Sequence, residues 1–117
     1  MKVLVSPEVQ THMQKLVFIL YEKGYFSYEE DARKYVKDLY DGIKNTLPIR
    51  QHKPAPDYFK NFVENMEHAE YLEYTVFKKN KRTSWYAFFT TYEDEETGED
   101  IFLVRYIGNN HTVAQYL

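Results

Sequence analysis

The chain contains no cysteine, which excludes a disulfide framework, a thiol nucleophile and any cysteine-built metal centre. Glycine and proline are scarce, four of each in 117 residues, and the glycines nowhere form the loop that cradles a nucleotide phosphate. No run approaches the roughly 18 apolar residues that a membrane span requires. The start, Met1-Lys2-Val3-Leu4-Val5-Ser6-Pro7, has too short an apolar stretch for the h-region of a signal peptide. His12, His52 and His68 lack the mutual spacing of a metal site. There is no Ser/His/Asp pattern, internal repeat or low-complexity tract. These absences predict a cytoplasmic, soluble protein with no membrane contact, metal or cofactor.

What is present is aromatic and unevenly charged. A length of 117 residues and 14.2 kDa predicts one domain spanning residues 1–117 with a single core. Twelve tyrosines and eight phenylalanines offer core rings or base-stacking platforms. The formal net charge is -3, which argues against a uniformly basic nucleic-acid binder. The distribution says more than the sum. Lys78-Lys79-Asn80-Lys81-Arg82 form a basic turn, and Glu93, Asp94, Glu95, Glu96, Glu99 and Asp100 gather around the next one. Arg105 is the sole cation after Arg82.

Local patterning gives an element order. Lys2 to Val5 reads as an opening strand. Ser6 can cap a helix whose first residue is Pro7, where a missing N–H costs nothing. Val9, Met13, Leu16, Val17 and Leu20 recur at helical spacing, and Gly24 can take the left-handed conformation that ends a helix. The first helix is therefore predicted over Pro7 to Lys23. Ser27-Tyr28-Glu29-Glu30 fits a capping box, followed by a stripe of Ala32, Tyr35, Val36, Leu39, Ile43 and Leu47 that Pro48 stops. An antiparallel αα-hairpin follows from the short joint.

Residues 48–56 hold three prolines among polar side chains and read as a surface connector without regular structure. Asp57 can cap a short helical segment carrying Tyr58, Phe59 and Phe62. Leu72 to Phe77, Thr83 to Tyr92 and Ile101 to Ile107 are rich in β-branched and aromatic residues and predict a three-stranded antiparallel meander. Gly98 suits its second hairpin loop. The middle strand carries Trp85, Ala87 and Phe89 on one side and Tyr86, Phe88 and Tyr92 on the other. It should be central, covered by helices on one face and by something less apolar on the other. The expected fold is α+β: an N-terminal strand, an αα-hairpin and a three-stranded meander, with the helices on one face of about four strands.

Such a meander can present cationic, imidazole and phenol groups together, a combination suited to binding or cleaving a phosphodiester. Strand alternation groups Arg105 with Ile101, Leu103 and Ile107, and an arginine among aliphatics must find a carboxylate, a carbonyl or a ligand phosphate. A groove position and a structural ion pair both satisfy that need. His111 follows Gly108-Asn109-Asn110, a turn that would let the tail fold back over the sheet, and histidine exchanges protons near neutral pH.

This order of elements resembles the RelE/ParE toxin superfamily, the plasmid stabilisation proteins. The residues that carry the resemblance are Val3-Leu4-Val5-Ser6-Pro7-Glu8, Tyr35-Val36-Lys37-Asp38-Leu39 with Ile43, the Arg82 to Phe88 strand, and Leu103-Val104-Arg105-Tyr106-Ile107-Gly108. The resemblance implies the toxin of a toxin–antitoxin system, neutralised by a cognate antitoxin. RelE-type members cleave messenger RNA on the ribosome as metal-independent endoribonucleases, whereas ParE-type members inhibit DNA gyrase without catalysis. A non-toxic protein-interaction domain is the third possibility.

On the RelE pattern Arg82 and Arg105 would stabilise the phosphorane, His111 or Tyr116 would move protons, and Lys78, Lys79 and Lys81 would steer RNA phosphates. The plainer roles are solvated turn residues for the lysines and Arg82, a solvated tail histidine, and a terminal anchor for Tyr116. The acidic turn is expected close to these cations.

Overall fold

The computed structural model describes residues 1–57, 59, 71–78 and 83–110. Strand β1 (Lys2–Val5) leads into helix α1 (Pro7–Glu22), helix α2 (Glu29–Thr46) and a 3-10 turn (Leu47–Ile49). Strands β2 (Lys53–Pro54), β3 (Glu73–Lys78), β4 (Ser84–Glu93) and β5 (Asp100–Asn109) follow. The strands form one mixed sheet in the order β1-β5-β4-β3-β2. β1 runs parallel to β5, and the other pairs are antiparallel. No described helix is long and apolar enough to cross a membrane.

The helices begin and end for local reasons. The Val9 amide donates to Ser6 Oγ at 3.3 Å, and Gly24 adopts φ 80° just past α1. At α2 the expected capping box does not form. The helix starts at Glu29, and Tyr28 at its N-cap makes no side-chain hydrogen bond. Ser27 therefore stands one residue too early, and Glu29, Glu30 and Asp31 in the first turn oppose the positive helix end instead.

The connector contains more structure than its composition predicts, so the described sheet has five strands rather than about four. Lys53 pairs with Tyr74 and Pro54 with Glu73, and the Ala55 amide donates to the Leu72 carbonyl at 2.9 Å. Proline is tolerated because β2 is an edge strand, where one side of the ladder needs no donor. Arg50 clips the same segment to β3: its guanidinium lies 4.0 Å from the Phe77 ring centroid and donates to the Val76 carbonyl. At the opposite edge Lys44 Nζ donates to the Val3 carbonyl at 2.7 Å, which blunts the open side of β1.

Both faces of β4 are apolar. Val9, Met13, Leu16 and Val17 of α1 and Ala32, Val36, Leu39 and Ile43 of α2 pack on Trp85, Ala87, Phe89, Phe102, Val104 and Ile107. His52 completes this layer edge-on to Phe89, centroids 4.7 Å apart, and its Nε2–H donates to the Leu47 carbonyl at 2.7 Å. The far face holds a second cluster of Ala55, Phe59, Leu72 and Phe88, bordered by Tyr74, Tyr86 and Tyr106. Phe59 stacks on Phe88 at 3.8 Å with 10° between the planes. The expected less apolar cover is thus an aromatic one, because Phe59, five residues after Pro54, lies over Phe88.

Candidate nucleic-acid interface

β4 and β5 are each ten residues long, so their hairpin separates its two ends by about 30 Å. At one end Glu93 pairs with Asp100, Gly98 takes φ 72° in the loop, and the Met1 ammonium lies 3.1 Å from Glu99. At the other end Lys78 pairs with Ser84 and Trp85 with Asn109. The acidic turn, expected beside the basic residues, lies at the opposite end of the sheet. Two antiparallel hairpins in succession put consecutive turns at opposite ends, and that reverses the electrostatic expectation.

The chain leaves the sheet at this end, opposite the acidic hairpin. The Asn110 amide donates to the Ser84 carbonyl at 3.0 Å, and the Ser84 amide donates to Asn110 Oδ1 at 3.2 Å. The segment preceding Ser84 and the segment following Asn110 therefore depart from adjacent positions. The first carries Arg82, Lys79 and Lys81, and the second His111 and Tyr116. All five lie outside the described residues. Lys78 is the last residue of β3.

Arg105 is the candidate whose placement the structure gives, and it differs from simple alternation. The register passes from Phe88↔Tyr106 to Phe89↔Val104, so Arg105 is the extra residue of a β-bulge. The bulge changes the phase of β5. Phe102 and Val104 before it and Ile107 after it all enter the helix-side core. Tyr106 borders the far-face cluster, and Arg105, alternating with Val104, belongs on that far face too. Arg105 is thus grouped with Leu103 and Tyr106, and Ile107 is on the opposite face. It is half-buried and engaged by a neighbour rather than free.

Three phenols share its face. Tyr106 lies 5.9 Å from Phe88 and 5.5 Å from Phe59, and Tyr74 lies 6.1 Å from Tyr86 and 5.5 Å from Phe88. Tyr86 pairs with Gly108 on β5, which puts no side chain beside it. Phe59 and Phe88 thus form a hydrophobic centre, and half-buried phenols border it. Arg105 adds a cation. Such a surface can stack bases and hold a phosphate. Alternation along β4 already pointed to Tyr86. Tyr106 had no such signal, because its face depends on the bulge. Among the described residues no three His, Asp or Glu side chains gather as a metal site would require.

Fold and face together define an α+β protein with two helices on one side of a five-stranded mixed sheet and an aromatic, arginine-bearing surface on the other. No protein-family model matches the chain. No curated protein matches it, and no solved structure does.

Proposed function

We propose that the far face, toward the end where the chain leaves the sheet, binds single-stranded RNA, and that the protein acts as a RelE-type toxin, a metal-independent endoribonuclease restrained by an antitoxin. The observation that carries this reading is the bulge that groups Arg105 with Tyr106 on the phenol-bordered face, about 17 Å along β5 from the acidic hairpin. In this reading Arg105 and Arg82 stabilise the phosphorane, Lys78, Lys79 and Lys81 hold flanking phosphates, and His111 or Tyr116 exchanges protons with the ribose 2′-OH and the leaving oxygen.

The test is expression in a host that lacks the antitoxin. Growth arrest with fragmented messenger RNA is expected, and Arg105→Ala with His111→Ala should relieve both. Arrest that persists in the double variant with intact RNA excludes the proposal.

Exposed Phe18, Tyr21, Tyr25 and Tyr28 favour a second reading, a protein-interaction domain that acts without catalysis, such as a ParE-type gyrase inhibitor. Gyrase-dependent DNA damage without RNA cleavage would identify it. Harmless overexpression would point to an interaction domain without toxicity.

A further inference from the structure

On the helix side of the same sheet end, α1, the residues after it and the ends of β4 and β5 enclose a cleft of about 490 Å3. That volume falls within the roughly 300–1,000 Å3 of small-molecule sites. One wall is a single stripe of α1: His12, Leu16, Ile19 and Lys23 line the cleft at intervals of four, three and four residues, which keeps them on one helical face. The stripe is about 16 Å long, aliphatic in the middle and nitrogen-bearing at both ends.

The opposite wall is aromatic. Phe26 and Tyr35 have centroids 5.3 Å apart, and Tyr35 and Trp85 6.5 Å apart. Trp85 Nε1–H donates to Tyr35 Oη at 2.8 Å, which fixes both rings before any ligand arrives.

Charge in the cleft has one sign. No aspartate or glutamate lines it among the described residues. The end of α1 would ordinarily contribute negative carbonyl ends. Here the Ile19, Leu20 and Tyr21 carbonyls accept from the amides of Lys23, Tyr25 and Gly24, which leaves Lys23 to set the potential. Burial, and secondarily the Lys15 charge, hold the His12 imidazole below its usual value. Near neutral pH the positive charge therefore lies at the Lys23 end.

We propose that this cleft binds a small aromatic carboxylate or sulfonate. The ring lies between the aliphatic stripe of α1 and the Phe26–Tyr35–Trp85 wall, and the acid group pairs with Lys23. The site is on the face opposite Arg105, although Tyr106 of β5 also lines it, and the proposal does not depend on the RNA-binding reading.

Trp85 is the sole tryptophan, so energy transfer has a single donor in the cleft wall, and variants of the cleft residues locate the bound probe. The full chain is titrated with 8-anilinonaphthalene-1-sulfonate under tryptophan excitation, and bound probe is then displaced with 1-naphthoate or its neutral isostere 1-naphthamide. Saturable one-to-one transfer is expected, with naphthoate at least tenfold more effective than naphthamide.

Lys23→Gln should abolish that preference with near-ultraviolet circular dichroism unchanged. Ile19→Glu, at a position already 41% exposed, should weaken probe and naphthoate at least tenfold. Absence of saturable transfer, binding of several probes per chain, equal displacement by the two competitors, or a preference that survives Lys23→Gln would each refute the proposal.

Discussion

Phe88 and Phe89 are neighbours in β4, both fully buried, and they belong to different halves of the protein. Phe89 enters the core that two helices close. Those helices are consecutive in the chain and bring their apolar stripes with them, so that half is covered by elements that form locally. Phe88 lies under Phe59, and its layer is bordered by tyrosines whose hydroxyls need polar partners or water. One face is a closed apolar core except at the cleft beside Trp85. The other combines a small aromatic centre with groups able to meet a ligand, and the same sheet supports both.

The strongest way to break this comparison is to truncate the two rings separately. Phe89→Ala should cost about 3–5 kcal/mol and lower the urea midpoint for the whole molecule. Phe88→Ala should fall in the same range or below it, with hydrogen exchange accelerated first at Ala55 and Leu72. If Phe88→Ala destabilises the helices as much as Phe89→Ala does, the halves are not separable.

Next in size is Tyr35→Phe, which leaves the buried Trp85 N–H without its acceptor. A loss of about 1–3 kcal/mol is expected, accompanied by a change in tryptophan emission. Unchanged emission would show that the hydroxyl does not hold that ring.

Deleting Arg105 sharpens the comparison at smaller energetic cost. Removal of the bulge residue restores regular alternation while leaving Val104, Tyr106 and Ile107 on their present faces. The deletion variant should fold and lose about 1 kcal/mol, and on the proposed RNA-binding reading it should retain single-stranded RNA no better than Arg105→Ala does. A collapse of the fold would mean that the bulge also shapes the sheet.

The smallest effect concerns pH. The folded chain holds His12 below the ordinary imidazole value of 6.5, through burial first and Lys15 second. As pH falls through 6.5 the unfolded chain binds the proton before the folded one, so stability declines from there downward until His12 itself protonates. Lys23, Tyr25 and Tyr35 line the same cleft and add no negative charge that would reverse the sign. His12→Gln should flatten the slope of the denaturation midpoint between pH 6.5 and the acid side, and an unchanged slope would assign it to other groups.

Much of the fold was legible because it rests on short-range periodicity. The α1 stripe of Val9, Met13, Leu16 and Val17 and the α2 stripe of Ala32, Val36, Leu39 and Ile43 are buried as their spacing requires. The Ser6 cap and the Gly24 and Gly98 turns follow from single-residue chemistry. β2 was not legible, since Lys53-Pro54 becomes a strand only because β3 offers an edge to pair with. Nor was the candidate interface complete. Arg105 could be named as a cation among aliphatics, yet its face depended on an unpaired residue in a register that only β4 defines.

The sequence by itself determined the two helices, the strands other than β2 and most of the residues they bury, because capping, turn chemistry and hydrophobic period act over a few residues. Tertiary structure decided which groups meet. It put the acidic hairpin at the far end from Ser84 and Asn110, brought Phe59 over Phe88, put Arg105 on the same face as Tyr106, and set Trp85 across a cleft from Lys23. Those outcomes depend on strand register and on contacts between residues far apart in the chain, where no local pattern carries information.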